Sequence, residues 1–281
     1  MKILFCTKND LFGAFILNWI MPRLKGHEVR VWLSDKTRPA ENMVAPLAEE
    51  KFLERDLPLQ TIFPLLDATP LSGEWLTFKA LELKYEYEAT ILNSFKDPQP
   101  TQALRQWGPD VIVSARFSLI FKSEHLQIPR WGIFNIHPGA LPGYGGLYAP
   151  MRALLNGESR LGCTLHKVDE GIDTGPIYSV SYRLAEPQRS VFSHISDLYQ
   201  LGLQSLIELL AQLEAGQSLT LNRQDPQLNR YYRLPEPSDF QLLAERGLCM
   251  ASYPDFIRFL NRFLPKNLAD TVVSLPKAKN T

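Results

Sequence analysis

Cysteine is scarce in this chain. Cys6, Cys163 and Cys249 are odd in number, far apart, and show neither a C-x-x-C pair nor metal-finger spacing. They read as reduced, mostly buried thiols of a cytoplasmic protein, and they exclude a disulfide framework. An excess of charge of one sign is also missing: 30 Lys and Arg against 30 Asp and Glu leave a formal net charge of zero. That removes the sequence-wide attraction on which non-specific nucleic-acid and anionic-membrane binders rely, so neither is expected as a partner. Long apolar runs are absent too. Ile3 to Cys6 stops at Lys8 and Asp10, too short for the core of a signal peptide. The window Trp131 to Met151 lacks Asp, Glu, Lys and Arg, but Pro138, Pro142, Pro150 and a series of glycines break any membrane-spanning helix there. What is present is ordinary: 281 residues, 45% hydrophobic and 21% charged. This suits one large or two modest soluble domains with a sizeable core, and it excludes disorder as the main state.

The chain opens as a β-α-β unit. Lys2 to Thr7 is a strand, Asn9 and Asp10 are helix-cap candidates, and Phe12, Ile16, Trp19, Ile20 and Leu24 recur with helical period. After Gly26, Glu28 to Leu33 alternates with period two and makes the second strand, so a parallel sheet is expected. Glu74 to Asn93 has no Gly or Pro and reads as a long helix. Val111 to Ser114 and Gly132 to Ile136 read as strands, with a Gly/Pro-rich loop after the second. Further expectations are a helix at Pro150 to Asn156, strands at Cys163 to Val168 and Ile177 to Arg183, and a helix starting near Val191 that Gly216 stops. From Leu219 prolines interrupt the rhythm, and one last helix falls near Pro254 to Phe263. The expected division is 1–216, an α/β catalytic domain with a Rossmann-like, open, mostly parallel sheet, and 217–281, a small C-terminal extension.

Two polar clusters sit at strand ends: Asn135-Ile136-His137-Pro138-Gly139-Ala140-Leu141-Pro142, and the turn Asp169-Glu170-Gly171-Ile172-Asp173-Thr174-Gly175. Open parallel sheets bind ligands outside the carboxyl ends of their strands. Asn135 and His137 face one way in period-two terms. An amide, an imidazole and the Asp173 carboxylate on one crevice can polarise a carbonyl, stabilise an oxyanion and relay a proton, as acyl transfer to an amine requires. The plainer alternative is a hydrogen-bonded structural histidine before a proline. Zinc is a poor rival, because His137, His166 and Cys163 lack compact ligand spacing. Ser114 and Ser118 are not in a G-x-S-x-G elbow, and Gly143 to Gly146 lacks the lysine and the setting of a phosphate loop.

The sequence resembles the folate-dependent formyltransferases, which include glycinamide ribonucleotide transformylase, methionyl-tRNA formyltransferase and the amino-sugar N-formyltransferases. That family carries an Asn-x-His-Pro-Ser-Leu-Leu-Pro loop and a later Asp-x-Gly turn. Asn135-Ile136-His137-Pro138 and Asp173-Thr174-Gly175 match them, 38 positions apart from Asn to Asp as in the family. Leu154-Leu155-Asn156-Gly157 and Gly162-Cys163-Thr164-Leu165-His166 look like its "LLNG" and "GCTxH" segments. The resemblance is strong over Val111 to Tyr182 and covers the first hundred residues only as a β-α-β pattern.

The resemblance implies that 10-formyltetrahydrofolate is the co-substrate, without a metal, and that Asn135, His137 and Asp173 are the catalytic trio. Asn135 and His137 would hold the formyl oxygen, and Asp173 would orient His137 and help take the amine's proton. Leu119 and Phe121, with Asp169, Glu170 and Gly171, correspond to the wrapping of the pteridine, although Leu119 and Phe121 read equally as core. Asn9, Asp10, Gly139 and Tyr144 fall where the acceptor would bind, although Asp10 also reads as a helix cap. Gly139 stands in place of the family's Ser, Ala140 in place of its first Leu, and Tyr144-Gly145-Gly146 in place of Tyr-Arg-Gly. Asp10 lies where ribonucleotide transformylases cradle a phosphate, so a ribonucleotide is not expected. From Leu219 onward nine basic residues face six acidic ones, too mild a balance to require RNA. The expected partner is a small-molecule amine, an amino-sugar nucleotide first and a hydroxylamine or amino-acid amine second. A formyltetrahydrofolate hydrolase and a non-catalytic folate-binding module rank behind these. A homodimer is compatible with the sequence and no residue defines it.

Overall fold

The computed structural model describes residues 1–69 and 73–266. β1 (Lys2–Lys8) is an apolar strand with Ile3 to Cys6 fully buried. It leads through Asp10 into α1 (Leu11–Ile20), where Asp10 is the N-cap and its Oδ1 accepts from the Gly13 amide at 2.8 Å. A Cβ at Gly13 would lie 1.9 Å from the Lys8 carbonyl oxygen, so only glycine lets the helix start this close to the strand. β2 (Glu28–Ser34) lies parallel to β1, as the alternating pattern predicts.

The predicted helix over Glu74 to Asn93 is half wrong. Thr77 caps a shorter helix over Phe78–Tyr85, Glu86 takes φ 51°, and β3 (Glu88–Leu92) pairs parallel with β2. Helix propensity loses here to the open edge of β2, whose ladder and the Arg30–Glu88 ion pair at 3.2 Å reward extension. The sheet continues on the other side of β1 with β4 (Val111–Ala115) and β5 (Ile133–His137), both parallel. After β6 (Gly145–Gly146), β7 (Arg160–Lys167) and β8 (Ile177–Leu184) complete the edge antiparallel. The order β3-β2-β1-β4-β5-β7-β8 is the expected open, mostly parallel Rossmann-like sheet. It reverses direction between β1 and β4, and that switch point opens a crevice at their carboxyl ends.

A long helix (Val191–Glu214) crosses the sheet and Gly216 ends it, as predicted. At Gly202 a Cβ would lie 2.3 Å from Ile136 Cγ2, so the glycine sets how closely this helix presses on β5. The chain after Gly216 packs back onto this core. Phe259, in the helix Tyr253–Leu260, sits 5.1 Å from Phe12 and 5.5 Å from Phe192 between ring centroids. β9 (Tyr231–Tyr232) pairs with β6, and a helix over Pro237–Glu245, not anticipated from the sequence, is tied to the core by an Arg152–Asp239 ion pair.

Between β2 and Thr77 the sequence shows no clear period. Short helices at Ala40–Met43 and Ala45–Lys51 run into wide π-helical turns at Phe52–Asp56 and Pro58–Ile62. Their inner face buries Leu47 and, unusually, the carboxylates of Glu41, Glu50 and Glu54. This face forms one wall of the crevice.

Candidate active site

The carboxyl end of β5 delivers Asn135 and His137 into a cleft of about 320 Å³, and the turn before β8 delivers Asp173 opposite them. Asp173 takes φ 57°, and its Oδ2 accepts from the Gly146 amide at 2.8 Å. Oδ2 also lies 3.5 Å from His137 Nδ1, and Oδ1 lies 3.5 Å from His166 Nε2. Burial alone would raise this carboxyl, but the His137 and His166 imidazoles and the Gly146 amide overcome it and hold Asp173 well below the usual carboxylate range. The carboxylate is therefore ionised at neutral pH.

His137 is fixed from both sides. Its Nε2 donates to the Tyr144 carbonyl at 2.6 Å while Nδ1 faces Asp173. Gly139 lies beneath it. A Cβ there would approach His137 Nε2 to 2.6 Å and the Tyr144 oxygen to 2.4 Å, which explains why glycine replaces the serine of the resembled family. Asn135 meets His166 at 3.2 Å, and His166 donates through Nδ1 to the Lys167 carbonyl at 3.1 Å. His166, carried on β7 opposite Asn135, thus contacts two members of the trio. Sequence reasoning gave it no role, although the "GCTxH" segment already marked its position.

The remaining expected positions divide. Leu119 lines the cleft beside the exposed Ile120 and Ile172, an apolar shelf next to the trio. Phe121 instead packs in a buried cluster, stacked on Phe117 at 5.5 Å. Asp169 and Glu170 shape the neighbouring turn: Asp169 Oδ1 accepts from the Gly171 amide at 3.1 Å and the Thr174 hydroxyl at 2.7 Å, and Glu170 accepts from Ser123 at 2.8 Å. Asn9 donates to Asp35 at 3.4 Å, away from the trio. Tyr144 contributes its carbonyl, while its ring stacks on Tyr232 at 5.9 Å and its hydroxyl donates to Glu158 at 2.7 Å.

Asp10 lies in the cleft wall and is 0% exposed. One oxygen caps α1 and the other accepts from Arg116 Nε at 2.7 Å. Arg116 follows β4 with φ 62°, places its guanidinium 4.9 Å from the Phe12 ring, and also pairs with Glu54. The extension closes the cleft from the other side. Gly145 donates to the Arg230 carbonyl at 2.9 Å and Leu147 to that of Tyr232 at 2.8 Å, which brings Tyr231 to the cleft. A Cβ at Gly146 would lie 2.3 Å from the Tyr232 oxygen, so the glycine pair is the condition for this clamp. Among the described residues no group of three or more His, Cys, Asp and Glu side chains is arranged to hold a metal ion.

Fold and site together define a Rossmann-like α/β protein with an amide, an imidazole and a carboxylate at the carboxyl edge of its sheet. Residues 80–208 match the family described as Formyl transferase. The methionyl-tRNA formyltransferase of Synechococcus is 36% identical over 151 residues, 54% of this chain and 47% of that protein. The same-named protein of Thermus thermophilus is 38% identical over 112 residues, 40% of this chain and 37% of that one. The chain thus spans less than half the length of these relatives. Among solved structures, a sugar N-formyltransferase from Shewanella superposes with a TM-score of 0.55 at 19% identity, over 92% of this chain and 88% of that one. An N-formyltransferase from Helicobacter canadensis in complex with folinic acid and dTDP-3-aminofucose gives 0.55 at 16%, over 95% and 82%. At those identities the likeness is one of fold. Residues 80–208 thus resemble the formyl transferases in sequence, and the chain resembles sugar N-formyltransferase structures in fold.

Proposed function

We propose that this protein transfers the formyl group of 10-formyltetrahydrofolate to an amine of a small metabolite. The observation that carries the reading is the convergence of Asn135, His137 and Asp173 in one cleft beside the apolar shelf of Leu119, Ile120 and Ile172. The shelf suits the flat pteridine, and the turn at Asp169 to Gly171 adjoins it.

The trio fits the charge changes of the reaction. As an amine attacks the formyl carbon, its oxygen becomes negative, and the Asn135 amide and the His137 imidazole stabilise it. The nitrogen becomes positive at the same moment and must lose a proton. Asp173, ionised and paired with two imidazoles, receives it together with His137 as one coupled unit. Collapse of the tetrahedral carbon then expels the folate nitrogen, which regains a proton from the same unit.

Two acceptor classes remain within this reading. A nucleotide-linked amino sugar is supported by two fold neighbours, one named a sugar N-formyltransferase and one in complex with dTDP-3-aminofucose. An amino-acid amine or hydroxylamine is supported by the carboxylates of the cleft wall. Incubating the purified protein with 10-formyltetrahydrofolate and a panel of both classes, with tetrahydrofolate release and product mass followed, tests the proposal. Formyl transfer to any panel amine is the expected result. Formate release without acceptor would instead make it a hydrolase, and folate binding without turnover would make it a silent module.

A further inference from the structure

The cleft has an acidic end that the trio does not use. Glu41, Glu50 and Glu54 all line it and are 8%, 6% and 5% exposed. In each, one buried carboxylate oxygen has no hydrogen-bond partner: Oε2 of Glu41, Oε2 of Glu50 and Oε1 of Glu54. A buried carboxyl without partners is costly to ionise, and a counter-charge beside it removes that cost.

Local basic groups do not supply that counter-charge in full. Arg116 is shared between Asp10 and Glu54. Lys51 pairs with Asp56 at 2.9 Å, and Arg55 with Asp35 and Asp56 at 2.8 Å each, so both are engaged with other carboxylates. Lys8 and Arg38 line the same cleft with no ion-pair partner among the described residues. Opposite the glutamates stands Tyr148, at φ 57°, whose hydroxyl neighbours Glu50. A tyrosine held in left-handed backbone is a strained placement, and such strain concentrates where a side chain must be aimed at a ligand.

We propose that Glu41, Glu50 and Glu54 form a cation subsite that holds a second, positively charged nitrogen of the acceptor while its other amine faces Asn135, His137 and Asp173. The acceptor is then a small compound with two nitrogens, of the diamino-acid kind. Its ammonium supplies the counter-charge that the three glutamates lack, and Lys8 and Arg38 line the same cleft for its carboxylate. A nucleotide-linked amino sugar offers this acidic wall phosphates in place of the cation it lacks. The inference rests on the formyl-transfer reading for the second amine only; the cation subsite stands on its own geometry.

The test separates the two. Calorimetric titration of the protein with L-lysine, L-ornithine and 2,4-diaminobutyrate, and with a thymidine-diphosphate amino sugar, reads the subsite without catalysis. Formylation assays with the same compounds read the reaction. The expected result is binding of at least one diamino acid, weakened by about tenfold or more in Glu41→Gln and Glu50→Gln, with folate affinity unchanged. In turnover the loss appears in the acceptor KM and not in kcat. Binding of the nucleotide sugar with no diamino acid bound, or diamino-acid binding insensitive to both substitutions, overturns the subsite. Diamino-acid binding sensitive to Glu50→Gln but without formyl transfer leaves the subsite standing and overturns the activity.

Discussion

His166 Nε2 lies 3.5 Å from Asp173 Oδ1, so a buried histidine on β7 braces the carboxylate from the side opposite His137. This brace is local electrostatics applied to a residue in left-handed backbone, and it contributes to the low proton affinity of Asp173. In the proposed formyl transfer, His166 acts through Asp173 and Asn135 as a positioning residue.

Replacing it should therefore show in a pH profile. His166→Gln removes an imidazole that helps to hold Asp173 low, so the carboxyl becomes easier to protonate and the acid limb of kcat/KM moves to higher pH. Turnover should fall by up to about 10²-fold through misplacement of the trio. An unshifted acid limb would remove His166 from the mechanism.

Asn135→Ala should lower turnover by about 10²–10³-fold with folate affinity little changed, because the amide is needed only as charge develops on the formyl oxygen. Asp173→Asn should cost more, since it keeps the shape and removes the negative charge that the imidazoles face. Steady-state rates and folate titrations on both variants check this, and near-normal turnover of either would discharge that residue.

Gly139→Ser restores the residue the resembled family carries and should nevertheless impair this protein. The new Cβ would fall 2.6 Å from His137 Nε2 and 2.7 Å from Ala149 Cβ, so the loop must shift. A destabilisation of about 1–3 kcal/mol and a fall in kcat are expected. Chemical denaturation and assay of the variant decide it, and wild-type values in both would contradict the tight loop.

Glu50 makes stability depend on pH. Burial above all pushes its carboxyl up to about 8; Glu54 adds to this, while Arg116, Tyr148 and Lys8 oppose it. The folded state then holds a proton that the unfolded chain, near the ordinary glutamate value of about 4.3, has released. Stability should therefore fall as pH rises from about 4.3 towards 8, by up to about 1.4 kcal/mol per pH unit, and level off above that. Glu54, also raised by burial, acts in the same direction. Urea denaturation at pH 5.5 and 7.5 should show the decline in the wild type and a smaller one in Glu50→Gln. Equal slopes would show that Glu50 is not the group responsible.

Local chemistry made much of this protein legible in its sequence. The apolar strand Ile3 to Cys6, the Asp10 cap and the period-two strand at Glu28 to Leu33 each depend on neighbours a few residues away, and they appear as read. The strand-end positions of Asn135, His137 and Asp173 follow from the same short-range pattern, and the resemblance joins the three as a trio. The rest depended on partners distant in sequence. Glu88 to Leu92 is a strand because β2 offers it an edge, against its own helical composition. Gly145 and Gly146 are explained by Arg230 and Tyr232, some 85 residues on, whose strand leaves no space for a side chain. Asp10 became a buried ion-pair partner only when Arg116 arrived from the end of β4. The acidic wall of Glu41, Glu50 and Glu54 has no motif at all: its chemistry arises because tertiary packing withholds water and partners from carboxylates that would otherwise pass for a solvated surface.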